Sequence, residues 1–224
     1  HALIQDTVEF PRLALAIVDE QHRFGVRERL ALGEKGKAAR EPHRLMMSAT
    51  PIPRTLAMSF YADLDVSVID MLPPARTPTA TKLIAASPRD EVIERVRDAC
   101  LAGGQAYWVC PLIEESESLQ LQTAIATYEA IRDTFPELTV GLVHGRLAAA
   151  EKAHVMTRFK SGAIHLLVAT TVIEVGVDVP NATMMVIENS ERMGLAQLHQ
   201  LRGRVGRGSE ASVCILMYET ALSE

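Results

Sequence analysis

The chain has 224 residues, a net charge of −5 and a pI near 5.8, so its overall balance carries no electrostatic signature of a nucleic-acid partner. Hydrophobic content of 48% and charged content of 23% are close to those of an ordinary soluble protein and supply a sizeable core. Three cysteines without metal-ligand spacing argue against a disulfide or zinc scaffold and for a reducing cytoplasm, and no stretch approaches the roughly 18 apolar residues of a membrane span.

The first apolar run, 13–18, ends on two adjacent carboxylates, Asp19 and Glu20, followed by Gln21 and His22. In open α/β sheets the carboxyl end of a strand is where ligands bind. A carboxylate there can hold Mg²⁺ through water, and its neighbour can orient or deprotonate an attacking water. Residues 23–44 then carry seven Lys/Arg against three Glu, a pattern that also suits any solvated face. A second run, 44–47, leads into "SATPIPRT", where Ser48 and Thr50 follow a strand end and two prolines fix the turn.

"LPPARTP" at 72–78 holds three prolines in seven residues and interrupts any helix or central strand. Beyond it, a helix is expected from an N-cap at Ser87, with Pro88 at its first position and Asp90 in its first turn, to Gly103–Gly104. A second helix follows the stripe Leu121, Ile125, Tyr128, Ile131 and Phe135, and a third covers 148–160. Apolar runs at 106–113, 139–143, 166–169, 183–187 and 213–218 predict strands. Strands alternating with helices imply βαβ units and a mostly parallel sheet.

Two more segments carry candidate chemistry. In "ATTVIEVGVDVP", Gly176 permits close backbone approach, Asp178 can accept from a ribose hydroxyl, and Thr170 and Thr171 can donate to a backbone phosphate. In "QLRGRVGRG", Gln200, Arg204 and Arg207 stand at Q-x-x-x-R-x-x-R spacing; on a helix the two arginines share a face and suit the charge of a transferring phosphoryl group. No G-x-x-x-x-G-K-[ST] phosphate loop occurs in the 224 residues.

In this order, "DEQH", "SAT", "ATTVIEVGVDVP" and "QLRGRVGRG" resemble the motors of helicase superfamily 2. "DEQHRFGV", "SATPIPRTLAM", "QAYWVCPLIEESE", "VGLVHGR" and "RMGLAQLHQLRGRVGRG" resemble, more narrowly, the RecG family of bacterial branched-DNA helicases. The translocase module of transcription-repair coupling factor shares several of these phrases and is the alternative, with a non-catalytic DNA-binding module as a third reading.

The resemblance implies an α/β fold of RecA-like parallel-sheet lobes. It implies the end of lobe one at 1–72, a linker at 73–78 and lobe two at 79–224, with the family's phosphate loop and wedge domain N-terminal to this chain. It implies ATP and Mg²⁺ in the intact protein. There Asp19 would hold the metal, Glu20 activate water, and Gln200, Arg204 and Arg207 reach ATP, with Asp178 and Gly176 near the nucleotide. Gln21, His22, Ser48 and Thr50 would couple hydrolysis to movement, while Thr170, Thr171, His144 and Arg146 would track a strand of branched or duplex DNA. The intact motor is expected to be a monomer, and this chain by itself is expected to be without ATPase activity.

Overall fold

The computed structural model describes residues 5, 7–10, 12–20, 25, 42–49, 65–71, 76–110, 117–170 and 178–219. It divides into two compact units, 1–66 and 67–224.

In the first unit, β1 (Leu15–Val18) pairs in parallel with β2 (His43–Met46), Leu15 opposite His43 and Val18 opposite Met46. Side chains alternate along a strand, and here Ala16 and Val18 are buried while Leu15 and Ile17 are exposed. The pairing continues one residue further, where the Met47 amide donates to the Val18 carbonyl at 2.7 Å.

The second unit is built on a six-stranded, all-parallel sheet. Its strands are β3 (Ala80–Ala85), β4 (Gln105–Val109), β5 (Val140–Val143), β6 (Leu166–Ala169), β7 (Ala182–Ile187) and β8 (Val213–Tyr218), in the spatial order β3-β8-β7-β4-β6-β5. Helices α1 (Arg89–Leu101), α2 (Glu117–Thr134), α3 (Ala149–Lys160) and α4 (Leu195–Arg202) connect them. The chain winds outward from β4 to β5, then crosses to β7 and β8, which makes this an α/β fold with RecA-like topology.

The period of two along each strand divides the core. Ala106, Trp108, Leu166, Val168, Val186, Ile215 and Met217 pack with Val92, Val96 and Cys100 of α1 and Ala124 and Ile131 of α2. Tyr107, Val109, Leu167, Met185 and Cys214 point the other way, onto Met156 and Phe159 of α3 and Leu201 of α4. Each large side chain buried this way contributes about 1.5–3 kcal/mol.

Helix ends follow local chemistry. α1 begins one residue later than Ser87 as N-cap implies: Pro88 takes the N-cap position and no side chain caps it, while Asp90 and Glu91 occupy the first turn. It ends as expected, with Gly103 at φ +97, a left-handed conformation that other residues resist. α3 opens with the Ala148 amide donating to Glu151 Oε2 at 3.1 Å. Strand β3 is not among the expected apolar runs. It lies at the sheet edge, and Ala80, Thr81, Lys82 and Leu83 are all exposed, so no alternation marks it.

Among the described residues, no helix is long and apolar enough to cross a membrane.

Candidate nucleotide and nucleic-acid site

In the first unit, Asp19 and Glu20 directly follow β1, and Ser48 lies two residues past β2, so all three stand at one carboxyl edge. Asp19 Oδ1 accepts the Glu20 amide at 2.8 Å. Glu20 itself sits at φ 53, a left-handed conformation that costs a non-glycine residue roughly 1–2 kcal/mol. Such strain persists where surrounding structure over-determines it, and it concentrates at functional sites. One Asp19 oxygen is thus engaged by the backbone. Magnesium sites of one or two carboxylates completed by water and phosphate need no more than the other, so the residues fit this metal. Gln21, His22 and Thr50 lie outside the described residues.

In the second unit, the arginine segment departs from its expected helix. α4 ends at Arg202 with Gly203 as C-cap, and Gly206 at φ +71 turns the chain again. Arg204 and Arg207 therefore sit on a loop rather than one helical face; two glycines in four residues do not sustain a helix against such turns. Arg207 Nε donates to the Gly203 carbonyl at 3.1 Å, and its Nη1 lies 3.4 Å from Asp178 Oδ1. Asp178, the residue expected near a ribose, is thus paired with Arg207. The charges of Arg204, Arg207 and Asp178 all reach the Tyr107 hydroxyl, whose pKa burial pushes up to about 12 while the two arginines pull against it. Gln200 lies on α4.

The expected strand-tracking residues separate in sequence but meet in space. His144 follows β5 and Thr170 follows β6, and the Thr170 amide donates to the Val143 carbonyl at 3.1 Å. Two buried polar atoms here, His144 Nδ1 and Thr170 Oγ1, have no hydrogen-bond partner among the described residues. Buried groups left unmatched cost about 1–3 kcal/mol each, so an edge that keeps two of them suits an incoming acceptor. His144 has its pKa lowered by desolvation first and then by Lys152 and Arg146, so it is neutral at pH 7. Thr171 and Gly176 lie outside the described residues.

Four participants escape the sequence patterns. Lys152 of α3 donates from Nζ to the Gly145 carbonyl at 2.7 Å and so holds the 144–146 loop. Arg89 Nε donates to Glu188 Oε1 at 2.8 Å, its Nη2 donates to Thr127 at 3.1 Å, and its guanidinium covers Trp108. Cys110 Sγ lies 3.5 Å from Glu188 Oε2 and its pKa is driven up, by burial first and then by that carboxylate, so it is an inert thiol. Arg76 Nε donates to the Gly206 carbonyl at 2.8 Å. The nearest of these pairings in sequence, Lys152 with Gly145, could be sought one helical start after an H-G-R loop; the others span 38, 78, 99 and 130 residues and leave no local signal.

A protein called ATP-dependent DNA helicase RecG from Escherichia coli O127:H6 is 65% identical over 226 aligned residues, covering 100% of this chain and 33% of that protein. The protein of the same name from Thermotoga maritima is 55% identical, over 97% of this chain and 28% of its own length. A solved structure of RecG bound to a three-way DNA junction superimposes with a TM-score of 0.74 at 48% identity, over 99% of this chain and 28% of that one. The chain thus spans about a third of the length of the E. coli relative it matches. The family described as the helicase conserved C-terminal domain matches residues 90–209, within the six-stranded unit and including the arginine loop, and the chain belongs to that family.

Proposed function

We propose that this chain is part of an ATP-dependent DNA motor that remodels branched DNA, with the end of lobe one at 1–72, a hinge linker at 73–78 and lobe two at 79–224. The observation that carries the reading is the presentation of Asp19 and Glu20 at a strand end, with Glu20 held in a left-handed conformation. The similarity to proteins called DNA helicases, and to a structure bound to a three-way junction, supports branched DNA as substrate.

Asp19 is the residue that would hold Mg²⁺, which when bound neutralises developing phosphate charge. Glu20 orients the attacking water and takes its proton. Arg204 and Arg207 stabilise charge on the transferring phosphoryl group, with Gln200 beside them. For Arg207 this means exchanging its ion pair with Asp178 for one with phosphate. Ser48, with Gln21, His22 and Thr50, couples turnover to movement. Glu20→Gln in a full-length protein carrying this chain tests the assignment: ATP binding is expected to persist while DNA-stimulated turnover falls about 10²–10⁴-fold. Turnover near the parental rate would remove Glu20 from the mechanism.

Thr170, Thr171, His144 and Arg146 contact the DNA backbone, which gives recognition by shape rather than sequence. Arg146→Ala is expected to weaken DNA binding equally across sequences and to reduce the salt slope by about 1. His144→Gln is expected to leave that slope unchanged at pH 7.5, because His144 is held neutral and displaces no counterion. Titrations at several salt concentrations measure both. The sign for stability follows from the same depressed pKa: below the ordinary histidine value the unfolded chain binds more protons than the folded one, so the contribution of His144 is lost as pH falls.

A further inference from the structure

Residues 76–80 are tied to the chain at 206–212. Arg76 Nε donates to the Gly206 carbonyl at 2.8 Å, Thr77 Oγ1 to the Glu210 carbonyl at 3.3 Å, and the Ala80 amide to the Ser212 carbonyl at 2.9 Å. The Thr79 and Ser212 hydroxyls share a hydrogen bond of 3.1 Å. Four successive ties therefore knit 76–80 to 206–212, and all lie within the second unit.

Gly206 is the point where this seam meets the arginine loop. It lies between Arg204 and Arg207 at φ +71, and a Cβ there would stand 2.4 Å from Ser212 Oγ and 2.5 Å from Thr79 Oγ1. The space a side chain would fill is occupied by the seam itself. On the other side, the Gly206 amide donates to the Ala182 carbonyl at 3.3 Å, and the adjacent Val205 is fully buried. The peptide that aims Arg207 is thus anchored to the sheet by its amide and to Arg76 by its carbonyl. The Arg76 bond carries a full guanidinium charge, which makes it stronger than the neutral ties beside it.

We propose that Arg76 is a positioning residue for phosphoryl transfer: by holding the Gly206 carbonyl it fixes the turn that carries Arg204 and Arg207, and it links that turn to the proline-rich segment. This rests on the arginine-loop reading given above. Arg76 touches neither nucleotide nor DNA; it acts through Arg207. Because Arg76 lies within the 73–78 segment expected to hinge, its bond to Gly206 ties that segment directly to the turn that carries the finger, 130 positions further along the chain.

The test uses a full-length protein carrying this chain, with DNA-stimulated ATPase kcat and KM for ATP measured separately. Arg76→Met keeps the apolar stem and removes every donor. It is expected to lower kcat about 10²-fold, the scale of an ångström misplacement, with KM for ATP unchanged. Arg76→Gln places an amide N–H where Nε stood and is expected to recover most of the loss. In the background of Arg207→Ala, Arg76→Met is expected to add nothing, because both act through one group. Thermal melts accompany each variant; if the Met protein is unfolded, Arg76→Lys, whose amine lies beyond the Nε position, replaces it in the comparison.

Equal slowing by Met and Gln, or multiplying effects with Arg207→Ala, overturns the clamp. Parental kcat in Arg76→Met together with loss in Arg207→Ala overturns the clamp alone. Parental kcat in Arg207→Ala overturns the arginine-loop reading and the clamp with it.

Discussion

Replacing Arg207 with alanine in a full-length protein carrying this chain is expected to lower DNA-stimulated ATPase kcat by about 10³–10⁵-fold, the range for an arginine that stabilises phosphoryl-transfer charge. The folded state should barely notice. Arg207 is about one-third exposed and Asp178 more than half, so their 3.4 Å pair is worth about 0–1 kcal/mol in stability. The combination of a large kinetic loss and an unchanged melting temperature separates a chemical role from a structural one. Asp178→Asn complements it. Freeing the guanidinium from its resting partner is expected to leave kcat higher than in Arg207→Ala by orders of magnitude. Steady-state ATPase assays with saturating forked DNA measure both, and comparable losses in the two variants would give Asp178 a direct place at the nucleotide.

The largest expected loss of stability comes from Phe159→Ala. Phe159 is fully buried at the end of α3 and meets the Tyr107 ring edge-on, with centroids 4.9 Å apart and planes at 64°. Its backbone carbonyl also accepts from the buried Gln105 amide at 2.6 Å, which satisfies a helix-end acceptor that water does not reach. Deleting the ring is expected to cost about 3–5 kcal/mol, a transfer loss plus a cavity between α3 and the sheet. A urea titration reads this as a lower midpoint at an unchanged slope. Tyr107 carries the other face of that contact.

The parts of the fold visible in sequence are those where one physical rule acts alone. Residues 166–169 and 213–218 are continuous apolar runs, and they form β6 and β8 because both faces of a central parallel strand are covered. The Gly103–Gly104 stop is legible because the φ of +97 at Gly103 suits glycine. β3 is not, since an edge strand with one paired side needs no alternation and reads only as "ATKLIA".

The candidate site divides in the same way. Asp19 and Glu20 are legible because a strand end makes them adjacent. The helical face expected for Arg204 and Arg207 fails because Gly203 and Gly206 turn the backbone first. Arg76 with Gly206, and Arg89 with Glu188, depend on tertiary folding across more than ninety residues and have no period or spacing to betray them.

We propose that this chain supplies the water-activating carboxylate and the arginine loop of an ATP-driven motor, and no G-x-x-x-x-G-K-[ST] phosphate loop occurs among its 224 residues. ATPase activity of this chain, assayed beside a longer polypeptide that adds a phosphate loop, each with and without forked DNA, decides the matter. Turnover only in the longer protein, stimulated by DNA, is the predicted result. Turnover by the 224-residue chain itself would place a phosphate site elsewhere in the sequence and contradict the roles given to Asp19 and Glu20.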